Sequence, residues 1–390
     1  MKLVNKKTHV VFVISSWKFF RSHRIVLLEY LRAENVRVTV VCGEAFREDI
    51  LRELAQFGVE YKTALMSARG KSGREIFQDA LRLSKVLSSL DGQCLVHAIS
   101  MRPIVLSCLA LLIKFNLRHK VALCCSITGF GIFRTRQSLL IRNFLFVMRL
   151  IIGLISTFYK ITGVYQTAHD RSFGQGFLGL DGPVIGGVGI SDIFFRPLSV
   201  NELNRPVKIA FCSRLLISKG VFEYLKIINL VKAFRQDLSI DWILIGSRDD
   251  THSEAVDAVT CGKLCEALGV DFMVDLKESD VARELFDTDI LLHPSVYGEG
   301  IPKVVLEAAA ASVLPIVTNQ PGIMEIFSSG INCIEIDIAD SLRSVQVICD
   351  LVEDQDRLRQ LQDEAHKLAV AKFSRESFYE AQVKAYENIL

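Results

Sequence analysis

The sequence predicts an α/β protein of two doubly wound parallel sheets, and three observations carry that expectation. Short apolar runs alternate with longer amphipathic segments along nearly all of its 390 residues. The alternation starts afresh after a polar stretch with two prolines, Pro197 to Pro206. Half of the residues are hydrophobic, and a chain of this length exceeds one ordinary core, so each half can build its own interior.

In the first half Val10–Ser15, Val36–Cys42, Cys94–Ala98 and Val121–Ile127 read as strands. They are apolar in near-continuous runs, as strands covered on both faces are. Ile25–Ala33, Arg47–Phe57, Arg74–Leu87 and Pro103–Phe115 read as the helices between them. Met1 to Lys7 is basic, but the apolar run behind it is short and lacks a cleavage site, so it reads as the first core strand and not as a signal peptide. In the second half strands fall near Ile209–Cys212, Trp242–Ile245, Phe272–Val274, Ile290–His293 and Ile316–Thr318. From Ser374 to Leu390, Phe378, Val383 and Tyr386 recur at helical spacing. The expected domains are 1–197 and 198–373, with a last helix at 374–390. Ligands of such sheets bind outside the carboxyl ends of the strands, which places the cleft there.

The net charge of +2 hides an asymmetry. No Asp or Glu occurs from Gly92 to His169, while Arg102, Lys114, Arg118, Lys120, Arg134, Arg136, Arg142, Arg149 and Lys160 do. A positive field of that kind suits an anionic substrate or an anionic membrane surface. No nucleic-acid module is recognisable, and none is expected as a partner. The ten cysteines are scattered and match no zinc set, which fits a reducing, cytoplasmic compartment. Asn143 to Tyr159 is apolar, but its length and the central Arg149 disfavour a membrane span. Two readings stay open: an interfacial helix that snorkels Arg142, Arg149 and Lys160, or a helix buried in the domain.

The most informative segment is Tyr297-Gly298-Glu299-Gly300-Ile301-Pro302-Lys303, leading into an alanine-rich helix of roughly Pro302 to Ala311 that carries Glu307. Pro302 suits a first helical turn, where a missing N–H costs nothing. The free N–H groups and positive dipole end there suit a phosphate or a polarised sugar. A second segment runs from the strand Val207–Cys212 through Ser213-Arg214-Leu215-Leu216-Ile217-Ser218-Lys219-Gly220 into a helix from about Val221 to Phe234. Arg can fork two phosphate oxygens and Lys can supply a point charge. Alone, these two residues would read as surface cations.

Together the two segments resemble the signature of retaining nucleotide-sugar glycosyltransferases of the GT-B fold, the family-4 class. The resemblance implies two facing, Rossmann-like domains with a central cleft, and a final helix that returns to the first domain. It implies Glu299 beside the donor sugar, Glu307 on the ribose, and Arg214 and Lys219 on the diphosphate, with Gly300, Ile301 and Pro302 in the donor site. No metal or other cofactor is implied, because the cations stabilise the leaving diphosphate. The chain departs from the family at Pro315, which stands eight residues after Glu307 where seven is usual, and at Ser191, where Asp is often found. After the first strand, Ser15-Ser16-Trp17-Lys18 replaces a glycine pair, so no dinucleotide fingerprint is present there.

Residues 19–24, Ser126 to Gly131 and Gly187 to Ser191 look like stations of a subgroup that extends bacterial surface glycans such as O-antigen, capsule or lipopolysaccharide, often on polyprenyl diphosphate carriers. His97 stands at the end of a strand, either as a catalytic group at the cleft or as a satisfied core histidine. His23, Arg24, Arg102 and Gly129 are candidates for the acceptor site. The expected activity is transfer of a hexose or N-acetylhexosamine from a nucleotide diphosphate sugar, a UDP-sugar first among them, to a glycan or lipid-linked acceptor. A nucleotide-sugar epimerase of the same fold is the alternative.

Overall fold

The computed structural model describes residues 8–43, 48–64, 72–130, 138–196, 206–250, 252–296 and 300–390. The chain forms two compact units, one of Met1–Gly189 with Arg375–Leu390 and one of Ile190–Ser374. The polar stretch 197–205 lies outside the described residues.

The first unit holds six strands: β1 (Thr8–Ile14), β2 (Arg37–Cys42), β3 (Glu60–Thr63), β4 (Gln93–Ile99), β5 (Val121–Ile127) and β6 (Ile161–Tyr165). They pair in parallel in the order β3-β2-β1-β4-β5-β6. Every residue of β1 and β5 is buried, as an inner strand with helices on both faces requires. The second unit holds β7 (Val207–Arg214), β8 (Ile240–Ser247), β9 (Asp271–Val274), β10 (Ile290–His293), β11 (Leu314–Thr318) and β12 (Ile334–Ile336), in the order β12-β11-β10-β7-β8-β9. Both sheets therefore reverse their strand order once, between β1 and β4 and between β7 and β10. Two doubly wound sheets are what the alternation predicts.

Three strands carry no apolar run to reveal them. β3 is half-exposed, β12 has three residues with Glu335 exposed between two buried isoleucines, and β6 is interrupted by Thr162 and Gly163. The first helix also begins earlier than expected, at Trp17 and not near Ile25. Its buried stripe is Trp17, Phe20, Arg24, Leu27, Leu28 and Leu31. A buried arginine breaks the apolar period, which hides the first two turns from a pattern search.

The last helix, Arg375–Glu387, belongs to the first unit. Phe378, Val383 and Tyr386 join the core built on β1 and β2. Tyr30 stacks on Tyr379 with ring centroids 4.3 Å apart and donates its hydroxyl to Glu376 at 2.6 Å. Arg375 pairs with Glu29. Three buried large side chains of this kind each stabilise by about 1.5–3 kcal/mol, so the helix is an integral part of that unit.

Candidate functional site

In the second unit the strand order reverses between β7 and β10, and ligands of doubly wound sheets bind beyond the carboxyl ends at such a point. Arg214 is the last residue of β7. The chain then makes a tight turn over Ile217–Lys219 and enters the helix Val221–Phe234 through Gly220. Gly220 has φ +84°, and a Cβ there would stand 2.2 Å from the Pro294 carbonyl oxygen, so the position excludes a side chain. That close approach fastens the loop after β7 to the loop after β10. The Val296 N–H donates to the Ser218 carbonyl at 3.0 Å, and the Ser295 hydroxyl donates to the same oxygen at 3.3 Å. From the other side the Ile217 N–H donates to the Glu254 carbonyl at 3.0 Å, and the Ser218 hydroxyl donates to the Glu254 carboxylate.

This frame holds Lys219 only 4% exposed. Burial, reinforced by the Arg214 guanidinium, pushes its ammonium down to about 7. His293, the last residue of β10, is also buried. Burial and then the Lys219 charge push its imidazole down to about 3, so it is neutral at physiological pH. Neither of its ring nitrogens has a hydrogen-bond partner among the described residues. Arg214 is exposed and pairs with Asp249 at 2.9 Å. Arg214 and Lys219 are thus neighbouring basic groups, close enough for the guanidinium to act on the ammonium, and basic groups so placed suit an anion. Gly220 has no side chain to cap the helix Val221–Phe234, so the helix begins directly after Lys219 with no side-chain cap from that residue.

The helix that follows β10 is Lys303–Ala310, and Pro302 is its N-cap residue, not a member of the first turn as expected. Glu299 lies outside the described residues. Gly300, Ile301 and Pro302 are buried just ahead of the helix. Glu307 is buried too, and its carboxylate accepts from Lys303 Nζ at 2.7 Å. Lys303 also reaches Glu278 at 2.8 Å and sits 5.8 Å from the centre of the Phe194 ring. Burial raises the Glu307 carboxyl above its ordinary value, although Lys303 pulls the other way. Burial would lower Lys303, but Glu307 and Glu278 more than offset it and hold the ammonium charged. Cys212 shares a face of β7 with Arg214, two positions on. Its thiol is pushed up to about 12 by burial and by the Glu307 carboxylate. Arg214 thus ends β7, Lys219 stands in the turn after it, and Glu307 stands on the helix after β10, near enough to Cys212 of β7 to act on its thiol.

The candidates of the first unit are placed differently. His97 is mid-strand in β4, paired in register with Phe12 and Cys124, and fully buried. Its Nδ1 is 2.6 Å from the Tyr386 hydroxyl and its Nε2 is 2.7 Å from the Ser126 hydroxyl. Of the two readings of this histidine, the core one describes what is seen: no ring nitrogen is left for a substrate. Arg24 is likewise buried, with its guanidinium 5.2 Å from the centre of the Phe378 ring. That is a packing role in place of the expected acceptor contact, because the helix containing it starts at Trp17 and turns Arg24 inward. Arg102 pairs with the buried Asp79 at 3.3 Å. His23 stacks on Phe19, with ring centroids 4.3 Å apart, on the same helix. Gly129 has φ +117° just after β5, a backbone state that favours glycine, and Gly131 lies outside the described residues.

Three residues of the second-unit site were missed by reading the sequence. Asp249 gives no signal before its partner Arg214 is placed. Lys303 reads as a solvated cation behind a proline until Glu278 and Glu307 are seen on either side. His293 did carry a signal, because it closes an apolar strand and precedes Pro294-Ser295.

Comparison with known proteins adds the class. Residues 198–368 match the family model described as Glycosyl transferases group 1. Among curated proteins no sequence matches the chain. A solved glycosyltransferase from Rickettsia africae is similar over 99% of this chain and 99% of its own, at 16% identity and a TM-score of 0.75. HepE of Anabaena, solved in complex with UDP and glucose, is similar over 97% of this chain and 99% of its own, at 16% identity and a TM-score of 0.73. Sucrose-phosphate synthase from Thermosynechococcus elongatus is similar over 98% of both chains, at 13% identity and a TM-score of 0.71. At such identities the likeness is one of fold. With a group 1 domain over residues 198–368 and the GT-B fold throughout, the chain is a glycosyltransferase.

Proposed function

We propose that this chain is a retaining enzyme that moves a hexose or N-acetylhexosamine from a nucleotide diphosphate sugar to a hydroxyl of a glycan or polyprenyl-diphosphate-linked sugar, in the assembly of a bacterial surface polysaccharide such as O-antigen, capsule or lipopolysaccharide. One observation carries the donor half of this reading: Lys219 is buried beside Arg214, at the start of a helix, where the strand order reverses. A diphosphate is an anion that such a pair of cations suits. UDP is the first nucleotide to test, because HepE was solved with UDP and with UDP-glucose.

In the reaction the bond between the anomeric carbon and the diphosphate oxygen breaks as a new bond forms to the acceptor oxygen on the same face. The acceptor's proton passes to the leaving diphosphate. Arg214 and Lys219 stabilise the charge that grows there, already oriented before the bond breaks. Glu307, steadied by Lys303, accepts from the ribose hydroxyls, and Glu299 orients the donor sugar.

The test is a donor screen followed by product analysis. Thermal shift across nucleotide diphosphate sugars should single out one donor by the stabilisation that binding confers. With that donor and an acceptor, nuclear magnetic resonance should show the donor's anomeric configuration in the product. An inverted product would refute retention, and conversion of the donor without acceptor would point to an epimerase.

A further inference from the structure

We propose that the outward face of the helix Leu139–Ser156 is a docking surface for an anionic phospholipid bilayer. This goes beyond sugar transfer, and its failure would leave the donor site untouched.

The helix has two apolar faces. Leu145, Met148, Ile152 and Ile155 are buried in the core of the first unit. On the other side Leu139 (74% exposed), Leu140 (81%), Phe146 (60%), Leu150 (57%) and Leu154 (52%) meet solvent. A surface helix of a soluble domain carries polar residues on that side. The helix cannot serve as a span, because its inner face is committed to the protein core and Arg149 stands midway along it. It can lie in the plane of a membrane surface, with its outer face sunk about 5–10 Å into the headgroup boundary.

Charge selects the occupant. Arg142 and Arg149 follow the edge between the two faces, and both are exposed. Arg149 reaches sideways to the Gly176 carbonyl at 2.6 Å, which keeps its charge at the flank. Just past the helix Phe158 packs edge-on against Phe115 with centroids 4.6 Å apart, and Arg118 lies 4.8 Å over the Phe115 ring. Exposed phenylalanines add to an apolar face that sinks into the headgroup boundary, and a cation beside them meets anionic lipid. No acidic residue occurs between Gly92 and His169 to oppose them. A second copy of the chain fits less well. A twofold contact through this helix would bring Arg142 and Arg149 of both copies together without a carboxylate on either helix.

The experiment is co-sedimentation of the full chain with vesicles of phosphatidylcholine alone or with about a quarter phosphatidylglycerol. The bound fraction should rise roughly tenfold with the anionic lipid and fall as salt is raised. The double variant Phe146→Glu/Leu150→Glu should return binding to background with unchanged melting temperature and elution volume. Arg142→Glu, which leaves the apolar face intact, should weaken anionic-vesicle binding by roughly tenfold. Equal lack of binding to both vesicles would overturn the proposal. So would a wild-type dimer that the double variant converts to monomer with vesicle binding unaffected.

Discussion

Lys303 Nζ lies 2.7 Å from Oε1 of Glu307, one turn along the same buried helix. Each of the two charges favours the charged form of the other against the effect of burial. Lys303→Met leaves the Glu307 carboxylate buried without its cation, at a cost of about 3–5 kcal/mol. Glu307 already has a raised carboxyl, and the variant raises it further. A carboxyl raised in the folded state favours folding at low pH, and that stability is lost as pH climbs through the folded value. The variant's deficit should therefore be larger at about pH 8 than at about pH 5, read by urea denaturation. An equal deficit at both would show that Glu307 is not the group affected.

Lys219 makes the empty protein and the donor-bound protein differ in protons. Its ammonium is held at about 7, below the ordinary lysine value of 10.5. Between those values the unfolded chain binds a proton that the folded chain lacks, so stability of the empty protein rises with pH across that window. A bound diphosphate restores the charge. Calorimetry at about pH 8 in two buffers of different ionisation heat should then show proton uptake on binding UDP. Proton release or no exchange would contradict the assignment.

Gly220 can be tested by one methyl group. In Gly220→Ala the Cβ would meet the Pro294 carbonyl oxygen at 2.2 Å, and φ +84° is strained for alanine. The loops after β7 and β10 must part, so stability should fall by about 2 kcal/mol or more and UDP affinity should fall with it. A variant of wild-type stability and affinity would mean that the loops need not meet.

His97 and Tyr386 test whether the first-unit histidine is structural. Tyr386→Phe leaves His97 Nδ1 without the partner it now has at 2.6 Å. The expected result is a loss of about 1–3 kcal/mol with unchanged kcat per folded molecule. A hundredfold drop in kcat in a fully folded variant would return His97 to the catalytic site.

What could be read from the residues follows from depth. Inner strands such as β1, β5 and β10 are covered on both faces, so their sequences are apolar runs that stand out. β3 and β12 lie at sheet edges and carry too few apolar residues to be distinguished from loops. Arg214, Lys219 and Glu307 were visible as residue types in a pattern. His97 and Arg24 were visible as types but not as positions, because a sequence does not show whether a polar residue faces the end of a strand or the packed side of a helix. Lys303 acquires its role only when Glu278 and the Phe194 ring close around it.

The central claim is that Arg214 and Lys219 together hold the donor's diphosphate. Its most direct test is titration of UDP into the wild type, Arg214→Ala and Lys219→Met, each confirmed to be folded. Each substitution should weaken binding by at least roughly tenfold, as loss of a charge-assisted contact to phosphate does. Wild-type affinity in both variants would contradict the account.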